Sequence, residues 1–157
     1  ALRNLKQIYP NIIYTSIGYG EEEENIKKLT KELNLNNQVM FLKNINSELK
    51  NALIAKSHVF VMPSITYKKS VEGFGIAYVE AAQYGIASLG GKDGGASDAI
   101  QHNITGLICD GNNLEDIYSS LHSMIENKKY IELGKNAKEL SSKFNWSNTV
   151  EEYKKIL

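Results

Sequence analysis

Along this chain, short apolar runs rich in β-branched and aromatic side chains alternate with longer stretches in which apolar positions recur at helical spacing. The short runs are "NIIYTSIG" from Asn11, "QVMFL" from Gln38, "HVFVM" from His58, "IASLG" from Ile86 and "TGLIC" from Thr105. Runs of this length and composition predict strands. Between them, helices are predicted over residues 2–8, 21–33, 47–56, 75–84, 96–102 and 114–127. Parallel strands need crossover connections, so this alternation predicts an α/β, Rossmann-like parallel sheet with helices on both faces. After Cys109 the strand pattern stops and helical spacing runs on to the carboxy terminus, with Gly134 and "NWSN" as the expected breaks. Neither an internal repeat nor a linker interrupts residues 1–157, which read as a single domain.

Composition narrows what such a domain binds. The chain has 157 residues, 42% hydrophobic and 23% charged, enough to bury one ordinary core. Its 18 basic and 18 acidic residues cancel, which removes the electrostatic footprint of a nucleic-acid binder. A phosphate ligand therefore needs local donors. The lone Cys109 has no partner for a disulfide and reads as a small buried side chain in a reducing compartment. The opening "ALRNLKQIYPN" carries no basic leader, and no apolar run approaches the roughly 20 residues a bilayer requires. The expectation is a soluble, cytoplasmic protein.

Ligands of open α/β sheets sit beyond the carboxyl ends of the strands, so the loops after each predicted strand carry the search. "IGYGEEEEN" places a Gly-x-Gly between a strand and a helix, the start of a dinucleotide fingerprint. Glu21 to Glu24 crowd the helix start where a pyrophosphate would have to bind, and the third glycine is absent. Those acids read as a solvated first turn that opposes the helix dipole. Gly18 keeps a different use, the close approach of a ligand to the backbone.

The loop "MPSITYKKSVEGFGIAYVE" differs. Gly73 and Gly75 flank Phe74 just before a predicted helix, whose first amides near Gly75 and Ile76 form a small anion site. Glu72 lies on the loop side of that turn. Glu80 lies more than a turn inside the helix, and side chains tilt towards a helix's amino terminus. Two carboxylates thus flank one anion site. A carboxylate accepts hydrogen bonds from two adjacent sugar hydroxyls, each worth about 1.5–3 kcal/mol when charge-assisted, so a diphosphate between two sugars suits the whole arrangement. A lysine partner for Glu80 with Glu72 in solvent is the plain structural alternative. Glycoside hydrolysis and a metal site fit less well, because no histidine or third acid stands nearby at ligand spacing. Lys68 and Lys69 read as a solvated basic pair, and His58, His102 and His122 as surface or capping residues.

"EGFGIAYVE" resembles the Glu, seven residues, Glu signature of the retaining glycosyltransferases of family 4, in the carboxy-terminal half of their two-domain GT-B fold. "PNIIYTSIGYG", "LNNQVMFLKNINSELKNALIAKSHVFVMPS", "GGASDAIQHNITGLICDGNN" and "FNWSNTVEEY" resemble further family segments in the family's order, covering nearly the whole chain. By this resemblance Glu80 binds the ribose hydroxyls of a nucleotide, and Glu72 lies near the transferred sugar and the reacting centre as the catalytic residue. Gly73, Phe74 and Gly75 form the turn whose amides hold sugar hydroxyls, and Gly75 and Ile76 meet the phosphates. Lys43, Asn44 and Ile45 border the base. Gly18, Gly94 and Gly95 lie where the cleft needs close backbone approach. Asp98 stands where the family commonly has glutamate, and His58 where it has aspartate.

The resemblance also implies what this chain lacks: the acceptor-binding amino-terminal domain, a central strand, and the Arg and Lys that hold the diphosphate. The implied function is that of a donor-binding fragment, which takes a UDP-, GDP- or ADP-sugar without a metal and is inactive alone. The intact enzyme would transfer sugar with retention to an acceptor glycan or lipid in polysaccharide, lipopolysaccharide or glycoconjugate synthesis, at the inner face of a membrane. An epimerase or hydrolase of the same architecture, and a nucleotide-binding module without catalysis, are the alternatives.

Overall fold

The computed structural model describes residues 1–156, apart from the side chains of Trp146, Thr149 and Glu152. The chain divides into two compact units, Ala1–Ala52 and Leu53–Leu157. In the first unit, α1 (Leu2–Ile8) precedes β1 (Tyr14–Ile17), α2 (Glu23–Glu32) and β2 (Val39–Leu42), and α3 (Ser47–Lys56) runs across the division. β1 and β2 pair in parallel, from Tyr14 opposite Val39 to Ile17 opposite Leu42. Leu5 and Leu35 are buried in this unit, whereas Ile13, Tyr14, Ile17 and Met40 keep much of their surface in solvent.

The second unit holds a three-stranded parallel sheet in the order β3 (Val59–Met62), β4 (Ala87–Gly91), β5 (Gly106–Cys109). Its helices are α4 (Ile76–Gln83), α5 (Ala96–Ala99), α6 (Leu114–Ile125), α7 (Lys129–Ser141) and α8 (Trp146–Lys154). Successive side chains of a strand point to opposite faces, and the packing follows that alternation. Ala87, Leu89, Leu107 and Cys109 face Met124 of α6 and Leu133 of α7, joined by Val59 and Val61. Phe60, Met62 and Ile108 face the other way, onto Tyr78 and Val79 of α4 and Ala96 and Ala99 of α5. Every residue of β4 is buried, as a central parallel strand covered on both faces must be. Full burial of a side chain such as Leu89 or Leu133 contributes about 1.5–3 kcal/mol. This is the expected Rossmann-like architecture, with helices on both sides of parallel strands.

Two helix predictions change. The predicted 96–102 helix stops at Ala99, because Ile100 is extended at φ −121°, ψ 117° and the Gln101 amide donates to Thr105 Oγ1 at 2.9 Å. Gly134 breaks nothing. It is buried inside α7, where a Cβ would collide with the carbonyl of Gly85, so its smallness lets α7 lie against the turn after α4. The break expected at "NWSN" falls just ahead of Trp146, where α8 begins.

Candidate functional site

The sequence-predicted residues fall into two groups. Glu72, Gly73, Phe74, Gly75, Ile76, Glu80, Gly94 and Gly95 belong to the second unit, on the loop after β3, on α4 and on the turn after β4. Gly18, Lys43, Asn44 and Ile45 belong to the first.

In the second unit, Gly75 initiates α4 from the left-handed region at φ 80°, ψ 61°, a conformation glycine adopts without steric cost. A Cβ there would also strike the ring of Tyr78. That ring is fixed in turn: Tyr78 is buried, and its hydroxyl donates to the Met62 carbonyl at 2.5 Å. Burial pushes the Tyr78 hydroxyl pKa up. No side chain caps the start of α4. At α6, by contrast, Asn113 Oδ1 accepts from the amides of Glu115 at 3.0 Å and Asp116 at 3.2 Å. Ile76, the first residue of α4, is 71% exposed, an apolar side chain standing in solvent beside that helix start. Glu80 is half-buried on the same helix, flanked in sequence by buried Val79 and Ala81. Phe74 turns inward, packing on the α4–α5 side of the sheet and edge-on against Phe144 at 5.6 Å.

The resemblance implies that Gly94 and Gly95 lie where the cleft needs close backbone approach. In the structure the approaching backbone is the protein's own. A Cβ on Gly94 would meet the carbonyl of Glu72, and one on Gly95 the carbonyl of Gly73, while the Gly95 amide donates to Glu72 O at 2.9 Å. One turn further on, Gly111 is closed against the carbonyl of Pro63. The loop that carries Glu72 is therefore seated on the turns that follow β4 and β5. The pair Lys68–Lys69, read from sequence as a solvated basic pair in a polar loop, is the tip of a tight turn. Tyr67 and Ser70 close it by reciprocal backbone bonds of 3.0 and 2.9 Å, Lys68 is left-handed at φ 54°, and its ammonium lies 5.1 Å from the Tyr67 ring centre.

In the first unit, Gly18 at φ 141° and Lys43 line one cavity of about 380 Å³ at the carboxyl ends of β1 and β2, with Tyr19, Phe41 and Glu23. Nothing lies within 4 Å of the position a Gly18 Cβ would take. Lys43 is engaged by Glu23 at 3.3 Å, and Glu23 also binds Lys27 at 2.6 Å. Hydrogen bonds from Lys27 and then Lys43 hold the Glu23 carboxyl below its ordinary range. The acids of "EEEEN" thus include Glu23 and Glu24, both ion-paired to Lys27, as well as solvated ones. Asn44 takes the left-handed conformation at φ 54°, and Ile45 is half-buried. Among the described residues, no group of three or more His, Cys, Asp or Glu side chains is placed to hold a metal ion, and no helix is long and apolar enough to cross a membrane.

Parallel strands with helices on both sides are also the fold of the carboxy-terminal domain of a group 1 glycosyl transferase from Francisella tularensis, matched at a TM-score of 0.77 and 21% identity over 90% of this chain and 74% of that one. The chain belongs to the family "Glycosyl transferases group 1", whose model matches residues 1–140. It is 28% identical over 155 residues to an uncharacterized glycosyltransferase of Haemophilus influenzae, covering 98% of this chain and 42% of that protein. It is 27% identical over 150 residues to the GDP-mannose-dependent α-(1-6)-phosphatidylinositol monomannoside mannosyltransferase of Mycobacterium tuberculosis, covering 93% of this chain and 39% of that one. The fold matches HepE of Anabaena, solved with UDP-glucose, at a TM-score of 0.80 and 23% identity over 98% of this chain and 43% of that chain. The chain thus spans about two-fifths of the length of the curated relatives it matches.

Proposed function

We propose that this chain is the donor-binding half of a retaining glycosyltransferase that uses a nucleotide-diphosphate sugar. The observation that carries the reading is the edge from Glu72 to Glu80, where two acids bracket a helix start that is entered through a left-handed glycine and has no side-chain cap. Amides of that first turn suit the diphosphate, since a helix start favours negative charge. Glu80, half-buried on α4, accepts hydrogen bonds from the ribose hydroxyls. Glu72, on the loop side, faces the transferred sugar. The nucleotide-sugar donors in the names of the mycobacterial mannosyltransferase and the HepE complex support the ligand class.

The chemistry this arrangement serves is stabilisation of a leaving diphosphate more strongly in the transition state than in the ground state. Amides near Gly75 and Ile76 supply part of it. The acceptor and the groups that orient it belong to a second half, so the 157-residue chain by itself binds nucleotide and transfers no sugar; positioning of two substrates accounts for about 7 kcal/mol or more of barrier reduction in well-aligned cases.

Three measurements test the reading. Calorimetric titration of the chain with UDP, GDP and ADP identifies the base, and Glu80→Ala weakens the best of them by about 1.5–3 kcal/mol, with a 2'-deoxyribose analogue losing less in the variant than in the parent. Equal affinity in variant and parent overturns the ribose role. In the full-length transferase, Glu72→Gln lowers kcat far more than it weakens nucleoside diphosphate binding. The reverse pattern makes Glu72 a nucleotide ligand instead. Nucleotide release by the 157-residue chain alone, abolished by Glu72→Gln, favours the hydrolase or epimerase.

A further inference from the structure

The loop that delivers Glu72 is gripped twice by one short segment, and only one of those grips uses a residue with a place in the proposed donor site. Downstream, the Gly95 amide holds the Glu72 carbonyl at 2.9 Å. Upstream, the Thr66 amide donates to Asp93 Oδ2, also at 2.9 Å. Between these points the chain doubles back through the Tyr67–Ser70 turn. The gripping segment is itself anchored, because the Lys92 amide donates to the Cys109 carbonyl at 2.7 Å and Lys92 Nζ binds Asp110 Oδ2 at 2.7 Å. Asp110 in turn is tied to the start of α6, its amide donating to Asp116 Oδ2 at 2.7 Å.

We propose that Asp93 is a positioning residue for Glu72. By accepting the Thr66 amide it fixes the upstream end of the loop, so that the turn at Lys68–Lys69 and the seat on Gly94 and Gly95 together leave Glu72 one place to lie. The inference rests on the reading that Glu72 faces the reacting sugar. Asp93 touches no substrate in this scheme. Its action is local: neither Thr66 nor Asp93 belongs to a core cluster, while a carboxylate accepting a backbone amide is a charge-assisted bond, shorter and stronger than a neutral one. Releasing it frees the loop without emptying the core. Misplacement of a reacting group by about 1 Å lowers rates on the order of 100-fold.

The test compares Asp93→Ala with Asp93→Asn, which keeps an oxygen able to accept the Thr66 amide. In the 157-residue chain, hydrogen exchange at Thr66 speeds up in Asp93→Ala and is largely restored in Asp93→Asn, with the melting temperature close to the parent's. In the full-length transferase, Asp93→Ala lowers kcat by about 10- to 100-fold at unchanged nucleoside diphosphate affinity, and Asp93→Asn recovers most of it. Unchanged exchange at Thr66 overturns the proposal, as does a loss of kcat, nucleotide affinity and melting temperature together, which marks a merely structural acid. A full effect of Glu72→Gln on kcat beside no effect of Asp93→Ala also overturns it while leaving the donor-site reading standing. No effect of Glu72→Gln defeats that reading first, and the positioning role with it.

Discussion

Gly95→Ala tests the seat of the Glu72 loop directly. Gly95 sits at φ −86°, ψ 11°, a negative-φ turn conformation open to alanine, so the substitution adds little backbone strain. What it adds is a methyl group directed at the carbonyl of Gly73, with that carbonyl carbon at 2.6 Å and Phe74 Cα at 2.9 Å. Carbon atoms rest at about 3.5–4.0 Å, and both obstacles are backbone rather than the ends of mobile side chains. The Gly73 oxygen lies closer still, so the loop must retreat by more than about 1 Å. Overpacking of this kind costs about 1–3 kcal/mol, and stretching the bond from the Gly95 amide to Glu72 O about 1 kcal/mol more. The lower entropy of unfolded alanine offsets about 0.4–1 kcal/mol of that. A net loss of about 1–3 kcal/mol lowers the melting temperature by roughly 3–10 °C in a domain of this size. The assay is a thermal melt with amide spectra of residues 72–75 and a nucleoside diphosphate titration. Gly20→Ala, which would place its methyl in open space, is the control. A Gly95→Ala protein that melts within about 1 °C of the parent, with the residue 72–75 amides unmoved, refutes the seat.

Two further predictions concern titrating groups. Lys27 and Lys43 hold the Glu23 carboxyl below its ordinary 4.5, so their stabilising contribution is present above pH 4.5 and is lost as pH falls through the lowered value. In Lys43→Met the Glu23 midpoint, followed by NMR, moves back upward; an unmoved midpoint removes Lys43 from the pair. Burial, with Asp116 and Asp110 adding, pushes the Cys109 thiol from 9.0 up to about 11, so the native protein resists a thiol reagent at pH 8 and loses stability as pH rises from 9.0 through that value. Labelling of native Cys109 as fast as of the unfolded chain shows that the thiol is open.

Much of the fold was legible because each strand run is short, apolar and bounded by turn residues, and each crossover is long enough for one helix. α1 and α3 fall on the residues the spacing predicts. What escaped depends on partners distant in sequence. Gly134 looks like a helix breaker until the carbonyl of Gly85 is beside it. The turn at Lys68–Lys69 carries no Asn-Gly or Gly cue, and lysine in the left-handed region is a conformation that surrounding structure imposes. The two acids and the helix start of the candidate site were readable from local spacing. Asp93 was not, since nothing near it in sequence names Thr66 as its partner.

The seating of the Glu72 loop has a consequence for how the chain is made. The groups outside this loop that seat it lie downstream of it: Asp93, Gly94 and Gly95 on one turn and Gly111 on the next. As the polypeptide leaves the ribosome, Glu72 emerges among the first residues of its unit and is set among the last. A nascent chain halted at β4 has both acids translated and the loop still unplaced. Premature termination between β4 and Gly111 therefore disables the site while Glu72, Glu80 and the start of α4 all remain in the chain.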